Sequence, residues 1–113
     1  MTTDLAFLTI AEASALLKAR QLSPVEDVDA LITRTETFDP QLHASITPTF
    51  DLARQQAKQA EHEIMAGRCR GPMHGLPFAL KDIYDTKGIR MSGHSNVCLH
   101  RLPDADATTT GKL

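Results

Sequence analysis

Lys81 is the residue of this chain whose surroundings most invite chemistry. It lies in the run Leu76-Pro-Phe-Ala-Leu-Lys-Asp-Ile-Tyr84. A strand would place Ala79, Lys81 and Ile83 on one face and Phe78, Leu80 and Asp82 on the other. Both faces are largely apolar, the pattern of an interior strand covered on both sides. Enclosure disfavours the charged form of an amine, which is how a lysine becomes a usable base near neutrality. The ordinary alternative is a lysine that reaches water from a strand end or pairs with a carboxylate, and Asp82 and Asp85 are close by. The pattern alone leaves both open.

The other candidates are weaker. Ser92-Gly93-His94-Ser95 sets a hydroxyl beside an imidazole, but neighbours on a strand point to opposite faces, which argues against a Ser95–His94 dyad. His43, His62, His74, His94 and His100 show no metal-ligand spacing, and neither Cys69 nor Cys98 completes a set, so no metal site is expected. The two cysteines match no paired motif and read as free, buried thiols of a reducing compartment. Gly71, Pro72, Gly75 and Pro77 make a stiff, turn-rich loop. Its glycines lack the strand–turn–helix context of a phosphate or dinucleotide cradle. His74, inside that loop, is expected to hold structure by hydrogen bonds.

The elements that must position these residues come earlier. Thr9 and Glu12 form a capping box ahead of Ile10–Arg20, which puts Ile10, Ala13, Leu16 and Leu17 on one face. Ser23 caps a second helix, with Pro24 at its first position and Glu26 closing the box. Val25, Val28, Leu31, Ile32 and Thr35 form its stripe, which Asp39-Pro40 should end. Residues 42–47 suggest a short strand. A third helix runs from about Phe50 to Ala66, capped by Thr49 and stopped by Gly67. Its buried face of Ala53, Ala57, Ala60 and Ile64 is narrow, while Arg54, Lys58, Glu61 and Glu63 face solvent. Beyond Lys81 come a turn at Asp85–Gly88, a short strand near Val97–Leu99 and a final helix started by Asp104 or Asp106. So few residues follow that last start that the chain reads as cut, since a helix that short is marginal alone.

Composition narrows the partners. The chain has 113 residues, 42% of them hydrophobic, and a formal net charge of -2. That describes an ordinary globular chain with one modest core, burying roughly 65% of its unfolded surface. No run of Lys or Arg is dense enough to follow phosphates, and one Tyr with four Phe supply little base stacking, so no nucleic-acid contact is expected. The first ten residues carry no basic flank of a secretory signal, and no apolar run approaches the ~20 residues of a membrane span. A cytoplasmic location without membrane contact is expected.

One block goes further than pattern. Gly71-Pro-Met-His-Gly-Leu-Pro-Phe-Ala-Leu-Lys-Asp82, continued by Asp85, Gly88 and Ser95, resembles the N-terminal motif of the amidase signature family. Members there read Gly-Pro-Leu-His-Gly-Ile-Pro, three apolar residues and Lys-Asp, followed by a turn and a Thr/Ser-Gly-Ser segment. The helical first half, with its Ser23-Pro24 start, is similar to the family as well. His94 stands where the family commonly has Gly.

The resemblance implies an α/β fold with a mixed sheet layered between helices. Residues 1–113 would be its N-terminal part, with a helical region about 9–66 and a motif loop and Lys-bearing strand about 67–84. It implies a Ser–cis-Ser–Lys triad without cofactor or metal, in which Lys81 is the catalytic lysine and the two serines lie beyond Leu113. The implied reaction is hydrolysis of a linear, non-peptide amide of a small molecule, and residues 1–113 alone should be inactive. Within the family, the glutaminase chain of the glutamine-dependent tRNA amidotransferase is the second reading, with partner subunits; homo-oligomers are equally open. A non-catalytic helical interaction module is the reading from outside it. Substrate-binding residues remain unassigned.

Overall fold

The computed structural model describes residues 4–113, which divide into two compact units. Of the described residues, the first comprises 4–44 and 49–77; the second comprises 45–48 and 78–113.

The first unit is helical. After a 3-10 turn at Leu5–Phe7, α1 spans Ile10–Lys18, α2 Pro24–Leu42 and α3 Phe50–Met65. The capping box forms as the sequence predicts. Thr9 Oγ1 accepts from the Glu12 amide at 3.2 Å, and the Glu12 carboxylate accepts from the Thr9 amide at 2.8 Å. Bonds from Thr9 hold the Glu12 carboxyl below the ordinary carboxylate range, its backbone amide first and its hydroxyl second. Ala13 and Leu17 are buried as expected, whereas Ile10 is 64% exposed. The α1 turn closes through Arg20 at φ 58, with the Gln21 amide bonded to the Leu16 carbonyl, an ending usually given to glycine.

Ser23 caps α2 by accepting from the Val25 and Glu26 amides. Its hydroxyl proton goes to Glu61 on α3 at 2.6 Å rather than into a reciprocal box with Glu26. Pro40 does not stop α2. The helix continues to Leu42 and ends at His43, whose φ is 51. The missing Pro40 N–H removes only the bond to the Glu36 carbonyl, one turn from the end and on an exposed residue. The His43 amide then reaches the Asp39 carbonyl at 2.7 Å and the Ala44 amide reaches its carboxylate.

α2 and α3 pack through Val28, Ile32 and Ala57, flanked by Val25, Phe50 and Ala53. The small side chains predicted on α3 allow that approach. Thr49 makes no side-chain cap, but Gly67 stops the helix at φ 79. Arg54 is not merely solvated: its Nε bonds Asp29 on α2 at 2.8 Å, an exposed pair of small energetic weight.

The second unit contains one short helix, α4 (Thr108–Lys112), and is held by polar bonds. Among the described residues no strand forms; the one β feature is an isolated bridge between Thr86 and Ile89 around the turn at Lys87-Gly88. Each expected strand meets a local reason. α2 consumes residue 42, and His43 turns the backbone. At residues 78–84 the Lys81 carbonyl is taken by the amides of Ile83 (2.7 Å) and Tyr84 (3.2 Å), a tight turn incompatible with a continuing ladder. Around Val97–Leu99 the Cys98 amide returns to Ser95 and the Arg101 amide to Cys98, again turns. A strand requires a neighbour's donors and acceptors, and no described segment offers them. The sheet is therefore not seen in these residues.

Asp85 organises this unit. Its carboxylate makes a two-pronged bond to Arg101, and its carbonyl accepts from the Ala107 amide and the Thr110 hydroxyl. Asp106 caps nothing; it accepts from the Lys87 amide at 2.7 Å, leaving Ala107 to precede α4.

Candidate functional site

Lys81 stands exposed, not enclosed. Phe78 and Ile83 around it are about half exposed, at 51% and 55%. The expectation of a segment covered on both sides is thus not met among the described residues, which supply no layer over either face. The carboxylate-pairing alternative fails too, because both neighbouring acids are committed elsewhere. Asp85 holds Arg101. Asp82 accepts from the Ser92 amide at 3.0 Å, the Ser92 hydroxyl at 2.6 Å and, weakly, the His94 amide at 3.4 Å. The Ser92 hydroxyl bond leads in holding the Asp82 carboxyl below its usual range, against an opposing effect of burial. The Lys81 amine is left with no hydrogen-bond or ion-pair partner among the described residues.

This clamp defines the 92–95 segment. Ser92 is buried, at 6% exposure, donates to Asp82 and accepts from the His94 amide at 3.2 Å. A serine whose proton is given to a carboxylate and whose oxygen takes an amide is a structural group. Ser95 accepts from the Val97 amide and its own amide reaches the Ser92 carbonyl; His94 takes part through its backbone. No bond joins Ser95 to the His94 ring, so the dyad does not form. His94 adopts φ 58 after Gly93 at φ 56. Histidine bears that left-handed conformation at some strain. The Asp82–Ser92 pairing had no local sequence signal, since ten residues and a turn separate the partners.

The preceding motif loop belongs to the helical unit and is docked there by three contacts. The Ser14 hydroxyl donates to the Pro72 carbonyl at 2.6 Å. Gly75, at φ 87, lies so close that an added Cβ would meet Pro24 Cγ at 3.1 Å and Ile64 Cδ1 at 3.2 Å. His74 is the third: its Nδ1 accepts from the Arg70 amide at 3.0 Å and its Nε2 lies 3.0 Å from Glu63 Oε2. The expected structural role of His74 is what the geometry shows, whereas Glu63, expected on the solvent face of α3, turns inward. Cys69 is exposed rather than buried, and both thiols are free. Among the described residues no three metal-ligating side chains come together.

With this geometry in hand, comparison with known proteins is direct. The Amidase family model matches residues 26–113. The chain belongs to the amidase signature family. It is 42% identical over 106 residues to the A chain of the glutamyl-tRNA(Gln) amidotransferase of Geobacter sp. (strain M21), covering 94% of this chain and 22% of that protein. It is 34% identical over 110 residues to the protein of the same name from Carboxydothermus hydrogenoformans, covering 97% and 23%. An amidase of Pseudomonas putida is 35% identical over 120 residues, covering 97% and 26%. The chain therefore spans about a quarter of the length of the curated relatives it matches. Among the described residues no helix is long and apolar enough to cross a membrane.

Proposed function

We propose that residues 1–113 are the lysine-bearing part of an amidase domain that cleaves linear, non-peptide carbon–nitrogen amide bonds, with Lys81 as its base. The observation that carries this reading is the Lys81 amine, left free of both adjacent carboxylates inside a segment that matches the family. Asp82 and Asp85 spend their charge on Ser92 and Arg101, so neither quenches the amine as a proton acceptor.

In the whole enzyme, uncharged Lys81 would take a proton from a bridging serine, which takes one from a nucleophilic serine. That nucleophile would attack the amide carbonyl, and the leaving nitrogen would depart as ammonia or an amine. Water would then release the acid from the acyl-enzyme. The serines would come from polypeptide outside these residues, as would the sheet in which the Lys81 segment becomes a strand covered on both sides. No cofactor is required by this chemistry. The cytoplasm is the proposed compartment.

The likeness to two glutamyl-tRNA(Gln) amidotransferase chains supports a second reading. On it, the amide is glutamine, and the ammonia passes to a separate partner protein. A non-catalytic helical module would also leave Lys81 exposed, but gives no reason for the family match over residues 26–113.

The test is Lys81→Ala and Lys81→Arg in the full-length protein, with ammonia release from simple amides and from glutamine. Both variants should lose at least ~100-fold in kcat, the usual worth of a positioned acid or base. Glutamine turnover that needs added partner proteins selects the second reading. Full turnover in both variants removes Lys81 from the mechanism.

A further inference from the structure

We propose that Ser92 is a positioning residue for Lys81: its hydroxyl holds the Asp82 carboxylate away from the neighbouring amine and so leaves that amine without an acid beside it. Lys81 and Asp82 are consecutive. On an extended strand, alternation would send their side chains to opposite faces. Here the Lys81 carbonyl is taken by the Ile83 amide at 2.7 Å and the Tyr84 amide at 3.2 Å, so the backbone turns and alternation no longer separates the two. Another device must keep the carboxylate from the amine.

Ser92 supplies it from ten residues along the chain. Its amide donates to Asp82 Oδ1 at 3.0 Å and its hydroxyl to Oδ2 at 2.6 Å, so one residue engages both oxygens. The His94 amide, 3.4 Å from Oδ2, is a weak third donor. Without the hydroxyl, Oδ2 keeps only that long contact. An ionised carboxylate can only accept, so the serine proton must point to it, and a hydrogen bond to an ionised group is among the stronger ones. The hydroxyl is itself held in this role. Ser92 is 6% exposed, which leaves little water to compete, and its oxygen also accepts from the His94 amide at 3.2 Å.

The other charges of this unit do not replace the serine. Arg90 attracts Asp82 but forms no ion pair with it. Asp85 is held by Arg101 through two bonds. Asp82 released from Ser92 is therefore the acid best placed to pair with the exposed Lys81 ammonium. Such a pair favours the charged form of an amine and removes the lone pair that a base needs. That the withheld acid serves a catalytic base rests on the reading proposed above; the separation of the two side chains does not.

The test is acetylation of the 113-residue chain by limiting acetic anhydride at neutral pH, with the extent at each lysine read by peptide mass spectrometry and exposed Lys58 as internal reference. Only the uncharged amine reacts, so a carboxylate brought beside it slows labelling. In Ser92→Ala, Lys81 should label about two- to fivefold more slowly relative to Lys58, the range an exposed ion pair supplies. Adding Asp82→Asn to Ser92→Ala should restore the wild-type rate, and Ser92→Thr, which keeps the hydroxyl, should retain it. A merely structural loss would not be cured by removing the second member of the clamp. Unchanged labelling in Ser92→Ala, or slowing that persists when Asp82→Asn is added, would overturn the proposal. Should Ser92→Ala fail to fold, Asp82→Asn alone decides: Lys81 should then label at the wild-type rate, and labelling at least about twofold faster would show that Asp82 already acts on the amine. Since no arm measures turnover, an error in the role of Lys81 as base leaves this result untouched.

Discussion

Replacing Gly75 with alanine probes how tightly the motif loop sits on the helices, and the structure supplies its own control. Gly75 and Gly67 both hold left-handed backbone, at φ 87 and φ 79. An alanine at either position meets the same backbone penalty of about 1–2 kcal/mol. At Gly67 nothing lies within 4 Å of the added methyl, so the backbone penalty is the whole cost. At Gly75 the methyl would stand 3.1 Å from Pro24 Cγ, 3.2 Å from Ile64 Cδ1 and 3.5 Å from Leu17 Cδ1. Leu17 is 2% exposed and Ile64 7%, so these neighbours have little room to yield. Overpacking of that kind adds about 1–3 kcal/mol. Gly75→Ala should therefore lose about 2–5 kcal/mol in total, a large share of the ~5–15 kcal/mol typical of a domain. Urea unfolding followed by far-UV circular dichroism measures both variants. With a denaturant dependence of about 1.5 kcal/mol/M, a 3 kcal/mol loss moves the midpoint by about 2 M. Equal losses at the two glycines would refute the close approach of loop to helices, and with it the argument that this glycine is required by packing.

Further outcomes follow from other contacts. His94→Gly should raise stability by about 1 kcal/mol by relieving the left-handed strain, read by the same urea titration; a loss would mean that the histidine side chain contributes more than its backbone costs. Asp27 is buried at 4% exposure, and that burial, with Glu26 adding repulsion, raises its carboxyl above the ordinary value. Its favourable contribution is complete below the unfolded carboxylate range and lost as pH rises through the folded value. Asp27→Asn should thus gain about 0.5–1 kcal/mol at neutral pH, allowing for solvent screening, and converge with wild type in acid; a pH-independent difference would contradict this. Asp82 has the opposite sign. Its lowered carboxyl holds Ser92 and His94 above the unfolded value and releases them as pH falls through the folded one. Amide exchange at Ser92 should accelerate over that acid window in wild type and at all pH values in Asp82→Ala, and protection retained in the variant would show the clamp to be unnecessary.

Much of the helical half was legible in the sequence because its signals are local. A capping box, a proline at a first helical position, a glycine stop and a 3.6-residue stripe each act within one or two turns, where no distant partner is needed. The same logic misjudged Pro40, because the cost of a missing amide depends on whether the orphaned carbonyl is exposed. Glu63 and Arg54 looked solvated for a related reason: helical spacing shows which face a side chain leaves, not whether another segment waits there.

The second half was legible as chemistry but not as shape. The order of residues from Gly71 to Asp82 determined the family and singled out Lys81, since those identities are written in the chain itself. Tertiary structure decided the rest. It alone gave Asp82 to Ser92, Asp85 to Arg101 and the Nδ1 of His74 to the Arg70 amide, because a hydrogen bond is settled by which groups meet in space. A strand likewise exists only when a neighbour completes its ladder, so periodicity could mark residues 78–84 as suited to a sheet without being able to supply one.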